Sequence, residues 1–174
     1  MKINLKKLER KDFENLFEFE KENKEFFEKF VPPRDEKYFD YQTFIVRNEL
    51  LLKSQEQHKD YFFIIINEKN QITGRINLTE IDHKEKIAYV GYRVGERFLG
   101  MGIATRAVNK LVYSAEKLGI NQLLAQTVTH NYASQKVLMK AGFTLIDRPT
   151  EYVTLNGEKL KFVYFKKENC RLLV

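Results

Sequence analysis

The stretch Tyr92-Arg-Val-Gly-Glu-Arg-Phe-Leu-Gly-Met-Gly-Ile-Ala-Thr105 carries the reading of the fold. It leaves a strand pattern, Ile87 to Val94, and crosses a loop holding Gly95, Gly100 and Gly102. It then enters an amphipathic helix. There Ile103, Ala104, Ala107, Val108, Leu111, Val112, Ala115 and Leu118 recur at steps of three and four, and Gly119 supplies a left-handed stop. Glycines let a chain turn sharply and bring bare N–H groups near a ligand. A helix N-terminus adds unpaired donors and the positive end of a dipole, so the assembly suits a pyrophosphate. Arg97 adds a charge-assisted donor. The three glycines alone also fit an ordinary strand-to-helix turn. Two other phosphate loops are excluded, because no Gly-Lys-Ser/Thr follows and the Gly-x-Gly-x-x-Gly spacing is missing.

Upstream, Asp12 can cap a first helix with Phe13, Leu16 and Phe17 at helical spacing. Pro32-Pro33 stops any helix before it, and Asp35 can cap a second that runs to about Gln57. Tyr61 to Ile66 and Ile72 to Thr79 read as strands joined by a hairpin-like loop. Downstream, Leu123 to Thr129 reads as a buried strand, and Asn131 to Ala141 as a short helix capped by Asn131 and ended by Gly142. Phe143 to Ile146, Glu151 to Leu155 and Leu160 to Phe165 close the chain as strands, with Asn156-Gly157 a hairpin turn. The expected order is two helices, three strands, helix, strand, helix and closing strands. That is a mixed α/β fold around a largely antiparallel sheet.

The 174 residues suit one continuous domain, 1–174, with no linker-like break or repeat. At 43% hydrophobic and 31% charged, the chain can build a core. The net charge of +6 suggests anionic company, either a phosphate-bearing ligand or nucleic acid. The basic residues are scattered and do not interleave with aromatics in a stripe, which argues against nucleic-acid binding. The single cysteine, Cys170, allows no intrachain disulfide, and His58, His83 and His130 lack metal-ligand spacing, so no metal is expected. No signal-peptide pattern or membrane-length apolar run is present, so a soluble, cytoplasmic protein is expected. Residues 12–30 carry seven acidic and three basic side chains, a bias that would favour a cationic partner near the first helix.

A second cluster is Asn131-Tyr-Ala-Ser-Gln-Lys-Val-Leu-Met-Lys-Ala-Gly-Phe143. Asn131 and Ser134 are three apart at a helix start, so both can face one cleft. Each also fits a plain capping or first-turn role. Together the two clusters resemble the GNAT superfamily of acetyl-CoA-dependent N-acetyltransferases. Arg97-Phe-Leu-Gly-Met-Gly102 matches that family's Q/R-x-x-G-x-G/A motif, and Asn131 with Ala141-Gly142-Phe143 matches its next helix and strand. The resemblance covers nearly the whole chain. It is strongest to the ribosomal-protein N-terminal (alanine/serine) acetyltransferase branch, through Gly91-Tyr92, Asn131-x-x-Ser134 and the segment Asn23 to Arg34.

The resemblance implies a central sheet with splayed strands and flanking helices, and acetyl-CoA as co-substrate. Tyr92, Arg93 and Val94 would offer backbone groups to pantetheine. Arg97, Phe98, Leu99, Gly100, Met101, Gly102, Ile103 and Ala104 would cradle the pyrophosphate. Asn131 would hydrogen-bond pantetheine, and Lys136 would reach a phosphate. Many family members place a general-acid Tyr where this chain has Leu138. Ser134 is then the candidate to stabilise the departing thiolate, and Glu151 the candidate base or ammonium anchor, with Tyr152 an outside candidate. Cys170 lies in the C-terminal tail with no His near it in sequence, which argues against an acyl-cysteine route. The branch's acidic-His pair after the last hairpin is replaced by Lys161-Phe162. The favoured acceptor is a protein N-terminal α-amine of the ribosomal-protein kind. A small amine (polyamine, amino sugar or amino-acid derivative) and a non-catalytic CoA-binding regulator are the alternatives. A monomer or homodimer is expected, with no membrane partner.

Overall fold

Five residues that local periodicity leaves unassigned, Ile3–Lys7, form the first strand, β1. Only Ile3 and Leu5 point apolar groups inward, and the strand is held by antiparallel pairing with β2, Tyr61–Asn67, some 60 residues away. The computed structural model describes residues 1–168, so Cys170 lies outside the described residues. Between β1 and β2 run three helices, α1 (Phe13–Glu22), α2 (Lys24–Glu28) and α3 (Tyr41–Glu56). The caps differ from the expected ones. Asp12 accepts from the Glu9 N–H at 3.1 Å and pairs with Lys6, so its side chain does not cap α1. Asp35 caps only a 3₁₀ turn, Glu36–Phe39, through the Tyr38 N–H at 3.0 Å. Asp40 then caps α3 through the Thr43 N–H at 2.9 Å. The expected single helix from Asp35 therefore begins at Tyr41, after an Asp at each of two successive starts.

β3 (Ile72–Asp82) and β4 (Ile87–Val94) continue the antiparallel sheet. Then follow α4 (Ile103–Lys117), β5 (Gln122–Val128), α5 (Tyr132–Lys140), β6 (Thr144–Ile146), β7 (Tyr152–Leu155) and β8 (Glu158–Glu168). The strand order is β1-β2-β3-β4-β5-β8-β6, with β7 paired to β8. The mixed α/β class and the largely antiparallel sheet are those expected. One pair is parallel, and it positions the site. β4 and β5 are bonded only over Ile87–Tyr89 and Gln122–Leu124. From Val90 onward the two strands splay, and the backbone of β4 loses its neighbour on that side.

Two cores flank the sheet. On one face Val90, Val94, Ile76 and Leu78 pack against Ile103, Ala107, Leu111 and Ala115 of α4. On the other, Phe13, Leu16, Phe17 and Phe44 of α1 and α3 pack against Phe62, Ile64 and Ile72. Strand alternation sends consecutive residues of β4 to opposite faces, Tyr92 toward the α4 side and Arg93 toward α1.

Glu20 breaks the apolar pattern of the second core. It is 1% exposed and accepts from Arg75 at 2.8 Å. Burial opposes its ionisation, but Arg75, Arg93 and Arg34 outweigh that and hold its pKa below the usual carboxylate range. A depressed folded-state pKa contributes stability that is present above the unfolded value of about 4.3 and is lost as pH falls through the folded one. Denaturant unfolding across pH 6 to 2 should show this loss in the native chain. In Glu20→Gln that part of the acid dependence should be missing.

Candidate active site

The splay of β4 from β5 opens a cleft that continues to the start of α4 as a cavity of about 400 Å³. Its floor is β4 at Tyr92, Arg93 and Val94. One end is the loop and first turn of α4, through Phe98, Leu99, Gly100, Gly102, Ile103, Ala104 and Thr105. α5 forms a side through Asn131, Ala133, Ser134, Lys136, Val137 and Lys140. The opposite side is α2 and its exit, Phe26, Phe27, Phe30 and Val31.

Local rules build the α4 end. Gly100 and Gly102 have φ of +74° and +68°, the left-handed region that suits glycine. Gly102 is the N-cap residue, and no side chain caps the helix, so the first-turn N–H groups are left for a ligand. The guanidinium of Arg106 folds back onto the Met101 carbonyl and stands 3.1 Å from where a Gly102 Cβ would lie. Gly95 serves packing. A Cβ there would meet Phe19 at 2.9 Å and Asn23 at 3.1 Å. Asn23 braces this corner, donating to the Phe19 carbonyl at 2.8 Å and accepting from the Glu96 N–H at 2.9 Å. It thereby ties the α2 wall to the loop before α4.

The α5 end carries the reactive-looking hydroxyls. Asn131 caps α5 by accepting from the Ser134 N–H at 3.1 Å, which leaves its amide NH₂ to donate. The Tyr92 hydroxyl lies 3.0 Å from Ser134 Oγ and 3.1 Å from the Ser134 carbonyl oxygen. Burial pushes Tyr92 up to about 12, so it stays protonated and acts as a donor. Leu138 is 1% exposed, in the core, and does not line the cavity.

Most of the expected site residues thus meet in one cleft. Three do not line it. Arg97 is on the surface, 3.7 Å from Glu22 and over the Phe98 ring. Met101 is 45% exposed beside the loop. Glu151 is exposed, its carbonyl accepting from the Phe162 N–H at 3.0 Å. Its carboxylate stands by Arg148 and Tyr164, whose hydroxyl is raised by burial and by Glu151. Arg148 also donates to the Tyr89 hydroxyl at 3.3 Å, so this group lies on the face of β4 opposite Tyr92. Periodicity assigned no site role to the α2 wall, to Thr105 or to Lys140. The Phe26, Phe27, Phe30 spacing was the available signal for the wall. Among the described residues no cluster of His, Cys, Asp and Glu could hold a metal, and no helix is long and apolar enough to cross a membrane.

Strand backbone along one side and an uncapped helix N-terminus at the end suit a long amide-bearing arm that finishes in a diphosphate. Coenzyme A has that form. The acetyltransferase (GNAT) domain family matches residues 2–144, and the chain belongs to it. The chain is similar to the probable N-acetyltransferase YjcK of Bacillus subtilis (strain 168), with 30% identity over 89% of this chain and 87% of that one. Its fold matches the ribosomal-protein-S5-alanine acetyltransferase from Vibrio fischeri, at TM-score 0.88 and 20% identity over 96% and 93% of the two chains. It also matches the microcin C7 self immunity acetyltransferase MccE in complex with acetyl-CoA and AMP, at TM-score 0.82 and 27% identity over 96% and 92%. The chain is therefore a GNAT-fold, acetyl-CoA-dependent acetyltransferase acting on an amine. Its own residues fit the coenzyme: bare N–H groups and glycines at the diphosphate end, unpaired β4 backbone at the pantetheine end.

Proposed function

We propose that the chain acetylates a protein N-terminal α-amine of the ribosomal-protein kind. The observation that carries this is the lining of the cleft. Among the described residues it holds no carboxylate and no imidazole, and its ionisable groups are Tyr92 and the cations Arg93, Lys136 and Lys140. Such a site is poorly equipped to deprotonate a strongly basic amine. An α-amine has a pKa near 8 and is about 10% neutral at pH 7, against well under 0.1% for an aliphatic amine near 10.4. The weak equipment suits the α-amine, and a cationic lining repels a polycation. The likeness to a ribosomal-protein-S5-alanine acetyltransferase points the same way.

Bound acetyl-CoA supplies the activated thioester. The chain's residues do the rest. The β4 edge and the Asn131 amide hold the arm, and the α4 N-terminus with Lys136 holds the phosphates. Ser134 Oγ donates to sulfur as negative charge develops there, while the Tyr92 hydroxyl fixes the Ser134 rotor. Glu151, reached through water from the face opposite Tyr92, takes the ammonium proton.

Thiol release measured against short peptides and a small-amine panel tests the proposal. Peptide N-termini should react faster than matched side-chain amines. Preferential turnover of polyamines would sink the N-terminal assignment. It would favour the second reading, a small-amine acceptor, which the likeness to MccE, solved with AMP, supports. No thiol release with any amine would leave a CoA-binding regulator. Glu151→Gln should lower the rate most below pH 8, with a smaller deficit above, where the α-amine loses its proton unaided. A deficit constant with pH would show that Glu151 only positions the acceptor.

A further inference from the structure

Three guanidinium groups converge on one carboxylate at the α1 face of β4. Arg75 of β3 and Arg93 of β4 are register partners, and Glu20 bridges them at 2.8 and 3.5 Å. Arg34 adds its charge from the α2 exit. It lies 4.0 Å over the Tyr38 ring, and its Nε is buried without a partner. The surrounding ionic side chains are Lys24 and Glu28. Four cations against two carboxylates leave an excess of two positive charges, and Glu20 and Arg75 are buried. Uncompensated charge in such a place is costly unless something pairs with it.

Arg93 is the member of this group that opens into the main cleft. Its guanidinium lies over Phe27 at 5.0 Å, and its polar partner among the described residues is Glu20, at the long distance of 3.5 Å. A guanidinium has five N–H donors, so most of its capacity is unused. The recess behind it, toward Arg34, is about 10 Å³, no larger than one water-sized site. The open approach to Arg93 is therefore from the cleft side. Next along the strand Gly91 leaves bare backbone on the same face, and a Cβ there would meet nothing within 4 Å. The acidic bias of residues 12–30 does not reach this surface as negative charge. Glu20 is consumed by the arginines, Glu14, Glu18, Glu22 and Glu25 are exposed, and Glu28, beside Lys24 at the recess, is the one further carboxylate of that window near Arg93 among the described residues.

We propose that Arg93, held by Glu20 and backed by Arg75 and Arg34, is an oxyanion subsite for the acceptor. The amine substrate carries a carboxylate or phosphate group within a few atoms of the amine it offers. This rests on the acetyl-transfer reading above. It deepens that reading by replacing the cationic partner suggested by the acidic bias with an acceptor that is anionic beside its amine. Glu151 is on the same face of β4, beside Arg148, which donates to the Tyr89 hydroxyl.

Calorimetry on the full chain saturated with CoA tests it with two matched pairs: 2-aminoethyl phosphate against ethanolamine, and Ala-Glu-Ala amide against Ala-Gln-Ala amide. The same pairs are then assayed for acetyl transfer. In at least one pair the oxyanion-bearing member should bind about tenfold tighter or more, the worth of one charge-assisted hydrogen bond. The pair that shows it names the source, a phosphorylated small amine or an acidic peptide. Arg93→Gln should bring the two members within about twofold, and the more peripheral Arg34→Gln should narrow the gap while keeping CoA affinity. Equal binding within both pairs overturns the subsite, as does a preference that survives Arg93→Gln. A fall in CoA affinity that matches the fall in acceptor affinity also overturns it, by assigning Arg93 to the coenzyme's phosphates. A binding preference without any thiol release supports the subsite and sinks the acetyl-transfer reading instead.

Discussion

Gly102→Val is expected to lower CoA affinity by at least about 100-fold in a chain that still folds. Two effects add. A β-branched side chain at φ +68° is strained, at about 1–3 kcal/mol for such a backbone outlier. Any relaxation of that strain moves the first turn of α4. The new side chain also occupies the space between the Gly100–Gly102 loop and the Arg106 guanidinium, where the diphosphate approaches bare N–H groups. Each charge-assisted hydrogen bond lost there is worth about 1.5–3 kcal/mol. Two such bonds lost, at least about 3 kcal/mol, supply the ~2.8 kcal/mol that a 100-fold change requires. Gly119→Val is the matched control. Gly119 has φ +78° at the other end of the same helix, and its Cβ would meet nothing within 4 Å. It should lose comparable stability and keep CoA affinity, read by calorimetry. Equal loss of CoA affinity in both variants would mean that strain in α4, not the approach of the diphosphate, sets the effect.

The difference between what the sequence displays and what it conceals follows the range of the interactions. α4 is legible because its apolar stripe, Ile103 to Leu118, repeats every three or four residues, and so is the Gly100–Gly102 turn before it. β1 is not, because Ile3 and Leu5 alternate with lysines and asparagine, and their partners Ile65 and Asn67 lie far along the chain. The splay of β4 from β5 is likewise a fact about two strands and cannot be read in either alone. It came from the family resemblance, not from spacing. The Glu20 cluster is intermediate. Phe13, Leu16, Phe17 and Glu20 fall on one helical face, so the sequence does place a carboxylate in an apolar row. Arg75 stands in the same way inside the buried strand Ile72 to Leu78. Each was a visible exception, but only tertiary structure brings the exceptions together. Counting charge along residues 12–30 weighs Glu20 as free negative charge, whereas it is buried against Arg75 and Arg93.

Ser134→Ala is expected to slow turnover by about 10²–10³, the usual effect of removing one preorganised donor to a developing anion. CoA affinity should stay within about twofold, since the bond strengthens only as charge reaches sulfur. The geometry adds a second arm. Tyr92 faces Ser134 Oγ at 3.0 Å and, with its pKa pushed up to about 12, cannot serve as a proton donor of ordinary strength. In the proposed reaction its part is to orient the serine hydroxyl. Tyr92→Phe should therefore cost less than Ser134→Ala, and in the double variant the tyrosine change should add almost nothing, because its effect passes through the serine. Independent, multiplying losses would show that Tyr92 acts on sulfur directly. A loss below about threefold in Ser134→Ala would hand the departing sulfur to solvent. Leu138 offers no third route, because its apolar side chain is in the core and outside the cleft lining.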